Sequence, residues 1–157
     1  MNEGYSPKDL KFGDEGRARL IEGITKMSNA VKSTLGPSGQ TVLIESPHHT
    51  HGITVTKDGV TVAKAVDLVD PVENLAVRMM KEAAERTATS AGDGTTTAIV
   101  LTEGLVKDSF ELLSSEPSLN KTKVLRHLVS LTGDVIESLK KRSRPLTKKM
   151  MLDVATI

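Results

Sequence analysis

The sequence predicts a mainly α fold with one small β-hairpin. Apolar residues recur at spacings of three and four through the long stretches of the chain, the mark of amphipathic helices. The two runs rich in β-branched residues, Thr41–Glu45 and Ile53–Thr56, are short and flank a turn-rich loop. Aromatics make up only 2% of the 157 residues, so the core must be built from Leu, Val, Ile, Met and Ala, which suits packed helices.

The elements follow in order. Residues 1–9 are polar and read as a flexible N-terminus. Leu10-Lys11-Phe12 reads as a short edge strand. Gly13-Asp14-Glu15 opens a helix with acid in its first turn. Leu20, Ile24, Met27, Val31 and Leu35 form its apolar face, and Gly36-Pro37 ends it, because Pro cannot continue a helix and Gly suits a left-handed cap. Thr41–Glu45 and Ile53–Thr56 then form a hairpin around Ser46–Gly52. A lone hairpin is marginal, so this one is expected to pair elsewhere, for example with a neighbouring subunit. Val60–Lys64 reads as a short helix. Asp70-Pro71 starts a long one, with Val72, Leu75, Ala76, Met79 and Ala83 as its stripe, running to Ser90-Ala91-Gly92. Thr95–Ser114 is a third long helix, broken by Glu116-Pro117-Ser118. Val124, Leu128, Leu131, Val135 and Leu139 mark a fourth, with Lys140-Lys141-Arg142 suited to its C-terminus. Pro145 is a boundary, and 145–157 opens a new segment.

Composition removes several function classes. Net charge is +1, so charge indicates neither nucleic acid nor an anionic membrane as partner. Scarce aromatics argue against base-stacking modules. Without Cys there is no disulfide, thiol nucleophile or thiolate zinc site. No signal peptide or membrane span is visible, and the default compartment is the cytosol. The Met27, Met79, Met80, Met150 and Met151 side chains read as core filler. Asp67 and Asp70 read as cap and surface residues, and Lys140–Arg142 with Arg144 as a solvated helix end.

Three clusters share one vocabulary of Gly with Thr, Lys or Asp at helix boundaries: Thr34-Leu35-Gly36-Pro37, Thr56-Lys57-Asp58-Gly59 and Gly92-Asp93-Gly94-Thr95-Thr96-Thr97. A glycine turn feeding a helix start leaves N–H groups free to meet an anion. The same residues also make ordinary helix caps, so the third cluster alone leaves cap and phosphate site open. Three such loops could converge on one polyphosphate, with Lys57 supplying positive charge, Asp93 holding a hard cation such as Mg2+, and Asp58 positioning water or acting as a base. Neither the Walker-A pattern nor G-x-G-x-x-G is present.

Together with Lys11-Phe12-Gly13, these clusters resemble the N-terminal portion of a group I chaperonin, the GroEL type, in order and near spacing. The resemblance runs from about Leu10 to Leu113 and more loosely to Ile157. It implies that 10–144 is the N-terminal half of a helical equatorial ATP-binding domain and that 145–157 begins the hinge to an intermediate domain. It implies ATP and Mg2+ as ligands, with K+ as an optional further ion. By position, Asp93 matches the Mg2+ ligand; Thr34, Leu35, Gly36 and Pro37 match the loop flanking the nucleotide; Lys57 and Gly59 match phosphate-side contacts. Gly94, Thr95, Thr96 and Thr97 match the phosphate-binding turn, Asp58 a carboxylate near the γ-phosphate implicated in hydrolysis, and Ile157 an adenine contact. The implied partners are other ring subunits, non-native client proteins held by an apical domain, and a co-chaperonin, in the cytoplasm, an organellar matrix or, for a viral protein, the host cytoplasm.

The chain departs from the family in three places. The hairpin is longer than usual and carries His48, His49 and His51, read here as an exposed loop tip in preference to a metal site. The segments after Leu113 and over Arg144–Leu152 match poorly. The chain also stops where the intermediate domain would begin, which reads as an interruption: half a domain would expose core faces of its long helices. The expected function is therefore an ATP-driven, ring-forming chaperonin subunit whose turnover needs the rest of the chain. The alternatives are a truncated, non-hydrolysing assembly module and an unrelated Mg-dependent phosphotransferase, which would leave the chaperonin order of the clusters unexplained.

Overall fold

A computed structural model describes residues 9–45 and 52–156; the readings for 1–8, for His48, His49 and His51, and for Ile157 lie outside the described residues. The elements are α1 (Gly13–Lys32), β1 (Val42–Glu45), β2 (Ile53–Thr56), α2 (Gly59–Ala65), α3 (Pro71–Ala91), α4 (Thr95–Ser115), α5 (Lys121–Arg142) and α6 (Lys148–Ala155). The mainly α class with a two-stranded antiparallel hairpin is as expected, with Leu43 opposite Val55 and Ile44 opposite Thr54. No described helix is long and apolar enough to cross a membrane. Contacts divide the chain into two compact units, 1–111 and 112–157, so the division falls in the last turns of α4, ahead of the boundary read at Pro145.

In the first unit, α1 lies against α3. The core consists of Met27 and Val31 from α1, Val62 and Ala63 from α2, Val77, Met80 and Ala84 from α3, and Ile99 from α4; Val42 and Ile44 of β1 pack on its edge. Each fully buried large apolar side chain contributes about 1.5–3 kcal/mol.

Three expectations are corrected here. Leu10–Phe12 forms no strand; it is an extended lead-in whose Phe12 is the N-cap residue of α1. Helix α1 stops at Lys32, short of Leu35. The Ser33 and Thr34 hydroxyls donate to the carbonyls of Ala30 and Val31, at 2.7 and 2.8 Å, and compete with further helical bonding. Leu35 then falls in a tight turn and is 50% exposed. Helix α3 presents a different stripe from the one expected: Glu73, Ala76, Val77, Met80 and Ala84 are buried, while Leu75 and Met79 face solvent. Of the methionines read as core filler, Met27 and Met80 are core; Met79, Met150 and Met151 are exposed.

The rotation of α3 has a physical cause. A Cβ at Gly23 would overlap the carbonyl and Cα of Glu73, so only glycine lets the two backbones meet there. That contact turns Glu73 inward, where the Lys26 ammonium donates to Oε2 at 2.7 Å and Arg19 lies 3.4 Å from Oε1. The Glu73 carboxylate, followed by that of Glu22, holds Lys26 above its usual pKa. Asp70 caps α3, and the N–H groups of Glu73 and Val72 donating to it hold it below the usual carboxylate range.

A second buried carboxylate joins α1 to α4. Lys32 pairs with Oε2 of Glu103, and Lys107 donates to Oε1 at 2.9 Å. Burial by itself would raise Glu103; the ammonium groups of Lys32 and Lys107, both hydrogen-bonded to it, outweigh that and bring the group down to about 2.

In the second unit, Asn120 caps α5 through the Lys123 N–H and Thr147 caps α6 through the Met150 N–H. The basic last turn of α5 sits at the negative end of the helix, as expected. No described residue of α5 or α6 is buried; Leu125, Val129, Val135 and Leu139 are more than half exposed. The Val124–Leu139 stripe exists as a helical face, with Val124 and Leu128 half-buried and Leu131, Val135 and Leu139 exposed.

Gly23→Ala should destabilise the protein by about 2–3 kcal/mol, because the methyl meets rigid backbone; a denaturant titration reads it directly. Glu103 has a folded-state pKa below its unfolded one. Its contribution is therefore complete above pH 4.5 and is lost as pH falls from there toward 2. Glu103→Gln should cost about 2 kcal/mol at neutral pH, reduced from the fully buried case because both lysines are partly solvated. The gap in melting temperature from wild type should close between pH 4.5 and 2, and a gap independent of pH would contradict the ion-pair account.

Candidate functional site

The start of α4 differs from the other capped helix starts. Asp58, Asp70, Asn120 and Thr147 each accept a hydrogen bond from an N–H in the first turn of the helix that follows. The Asp93 carboxylate instead accepts from the N–H of Gly94, at 2.6 Å. Gly92 and Gly94 on either side have φ of 77° and 88°, a region that L side chains rarely adopt. Gly92 also closes α3, its N–H donating to the Ala88 carbonyl. The first bond inside α4 runs from Ala98 N–H to the Gly94 carbonyl at 2.9 Å. The N–H groups of Thr95, Thr96 and Thr97 therefore have no acceptor within the helix, and the positive end of its dipole stands beside them. Thr95 is buried, Thr96 half-buried, Thr97 exposed, and Asp93 exposed at the turn.

The second cluster is brought against this turn. Gly59, buried as the first residue of α2, has no room for a Cβ: one would overlap the Thr96 hydroxyl and sit 3.4 Å from Val31 Cγ1. Asp58, just before it, caps α2. Its Oδ1 accepts from Val60 N–H at 3.2 Å; its Oδ2 accepts from Thr61 N–H at 3.0 Å and the Thr61 hydroxyl at 2.6 Å. The Thr61 hydroxyl, aided by the two backbone N–H groups, holds Asp58 below its usual pKa despite the opposing effect of burial. A carboxylate has about four acceptor positions, so one on Oδ1 is left. Lys57 is exposed and forms no ion pair among the described residues.

The first cluster joins at its base. Val31, which touches the Gly59 position, accepts through its carbonyl from the Thr34 hydroxyl and N–H. The loop beyond is compact. Gly36 has φ 74°, Gly39 N–H donates to the Gly36 carbonyl, and Gln40 N–H reaches back to Ser33. Leu35, Gly36 and Pro37 are exposed on its rim. The structure thus gathers Thr34, Lys57–Gly59 and Asp93–Thr97 around a Val31–Gly59–Thr96 contact, at the C-terminal end of α1. A groove of about 670 Å3 lined by Leu10, Phe12, Leu20, Val72 and Leu75 lies at the other end of α1.

No group of three or more His, Cys, Asp or Glu side chains among the described residues is placed to hold a metal ion. Asp93 offers one carboxylate. That suits Mg2+, which is bound through one or two carboxylates plus phosphate oxygens and water and needs no all-protein cage. Sequence reasoning missed Lys32 and Glu103. The Glu103–Lys107 spacing of four was a visible cue to a helix-face pair; the partnership with Lys32, across 71 positions, had no local signal.

The sequence profile of the TCP-1/cpn60 chaperonin family matches residues 27–157. The chain belongs to this family. Among solved structures, the chaperonin gp146 of the Pseudomonas aeruginosa bacteriophage EL, crystallised in the presence of ATP-BeFx, matches in one crystal form with a TM-score of 0.72 and 30% identity over 85% of this chain and 22% of that one. A second crystal form matches with a TM-score of 0.55 and 38% identity over 59% of this chain and 16% of that one. The chaperonin chain described here thus spans less than a quarter of the length of those relatives, and its helical fold with a two-stranded hairpin is that of a chaperonin equatorial-type domain.

Proposed function

We propose that the loops around Val31, Gly59 and Thr96 bind the polyphosphate of Mg-ATP. On this reading the longer subunit is an ATP-driven, ring-forming chaperonin that assists the folding of non-native proteins. The observation that carries it is the uncapped start of α4: three backbone N–H groups without an intrahelical acceptor, an exposed carboxylate beside them that is not spent on capping, and a glycine-only contact bringing the second loop alongside. The related phage chaperonin crystallised with ATP-BeFx supports the nucleotide class.

The roles follow from chemistry. Gly94 and the N–H groups and hydroxyls of Thr95, Thr96 and Thr97 bind phosphate oxygens. Lys57 adds a cation, and Gly59 lets the α2 start approach. Asp93 holds Mg2+, which when bound neutralises charge developing on the phosphates. Thr34, Leu35, Gly36 and Pro37 flank the nucleotide, and Ile157 is assigned to the base. Asp58 is a weak base, since its pKa is depressed and three of its acceptor positions are filled. Its remaining position on Oδ1 suits it to orient the attacking water, not to remove the proton outright. Ring partners and client proteins are proposed on family membership. The uncovered faces of α5 and of the hairpin, with Leu43, Ile53 and Val55 exposed, are consistent with burial in a larger assembly.

In the full-length protein, Asp93→Ala should abolish ATP hydrolysis while leaving the fold intact by circular dichroism; undiminished turnover would overturn the assignment. Asp58→Asn keeps a helix-capping side chain and should lower kcat about 10²-fold or more with little change in KM. Because Asp58 already titrates below its ordinary 3.8, it should contribute no acid limb to the wild-type rate between pH 5 and 8, which a pH–rate profile tests.

A further inference from the structure

Two carboxylates are buried in the first unit, and both are clamped by cations of the same helix. Glu73, its side chain 4% exposed, is held by Arg19 and Lys26 of α1; Glu103, 5% exposed, is held by Lys32 and, from its own helix, by Lys107. The chemistry is alike but the location differs. The Glu73 clamp joins α1 to the start of α3, more than a turn back from the loop that follows α1. Lys32 is the last residue of α1, and the Thr34–Pro37 loop begins two residues later. Glu103 lies eight residues on from Thr95 in α4, about 12 Å along the axis from it.

The segments between these charges and the phosphate loops are stiff. Ser33 and Thr34 fold their hydroxyls onto the last carbonyls of α1, so the loop starts from a fixed point relative to Lys32. Ile99, midway between Thr95 and Glu103, is buried against the core containing Met27 and Val31. Lys107, four residues on, holds the second oxygen of Glu103 and limits rotation of the carboxylate away from Lys32.

We infer that the Lys32–Glu103 ion pair is a positioning device for nucleotide binding, fixing the spacing between the Thr34–Pro37 loop and the Thr95–Thr97 N–H groups. Neither residue touches the ligand; both act through the helices that carry the loops. The inference rests on the phosphate-site reading above.

The test is Mg-ATP affinity by calorimetry on the full-length protein, with thermal melts alongside, for wild type, Lys32→Met, Lys32→Arg, Glu103→Gln and Glu73→Gln. Lys32→Met and Glu103→Gln should weaken binding about tenfold, the scale of loosening the support of a preorganised site. Lys32→Arg, which keeps the charge and donors, should retain wild-type affinity. Glu73→Gln removes an equally buried carboxylate and should lower the melting temperature comparably while leaving affinity unchanged. Wild-type affinity in both Lys32→Met and Glu103→Gln, or an equal loss in Glu73→Gln, would show the pair to be structural only and overturn the inference. Should Glu103→Gln fail to fold, the partly exposed Lys32 carries the test through Met and Arg. A wild-type protein that does not bind Mg-ATP overturns the phosphate-site reading itself, and is thereby distinguished from failure of the clamp.

Discussion

The first unit depends on one close approach, the backbone of α1 at Gly23 against the backbone of α3 at Glu73. Two helices can come this near only where one has no side chain. The contact decides which face of α3 turns inward, and so which side chains make the core. It also brings a carboxylate out of water, which is tolerable only because Lys26 and Arg19 reach it. Gly23, Glu73 and the two cations are therefore one feature: remove the glycine and the helices separate, remove the cations and the carboxylate is stranded.

The candidate site lies toward the other end of α1. There α1 presents Val31 to Gly59, and Gly59 in turn admits the Thr96 hydroxyl. A second glycine contact thus repeats the logic of the first at the place where loops from three helix ends meet. What separates this place from an ordinary set of caps is the use made of each acid. Asp58 and Asp70 spend their oxygens on their own helices, whereas Asp93, held between two left-handed glycines, leaves the first turn of α4 unsatisfied. Unsatisfied N–H groups at a helix start call for an anion, and an exposed carboxylate next to them makes sense when a cation accompanies that anion.

Much of this was legible in order along the chain. Gly36-Pro37, Asp70-Pro71 and Glu116-Pro117 are strong punctuation: α3 starts and α4 ends at the marks expected, while α1 stops at Lys32, before its mark. The clusters at Thr34, Lys57 and Asp93 stood out because Gly, Thr and Asp together have few other uses. The misreadings share a cause. Leu35, Leu75 and Met79 were placed inside because they are large and apolar and fall at helical spacing, yet all three are at least half exposed. Spacing identifies a helix but does not say which of two adjacent faces meets a neighbour. Here a glycine and an acid outweighed the leucine and methionine stripe.

By itself, then, the amino-acid sequence determined the helical class, the hairpin, the element boundaries to within a few residues, the three loops and, through their order, the family. These are local or motif-borne properties, set by backbone preference, hydrophobic period and residues that few structures can replace. Only the tertiary structure decided the roll of α3, the burial of Glu73 and Glu103, the pairing of Lys32 with a residue 71 positions away, and the difference between an acid that caps and one that leaves its helix open. Those depend on close approach between segments distant in sequence, where a missing Cβ or a reaching ammonium settles a competition that no local pattern records.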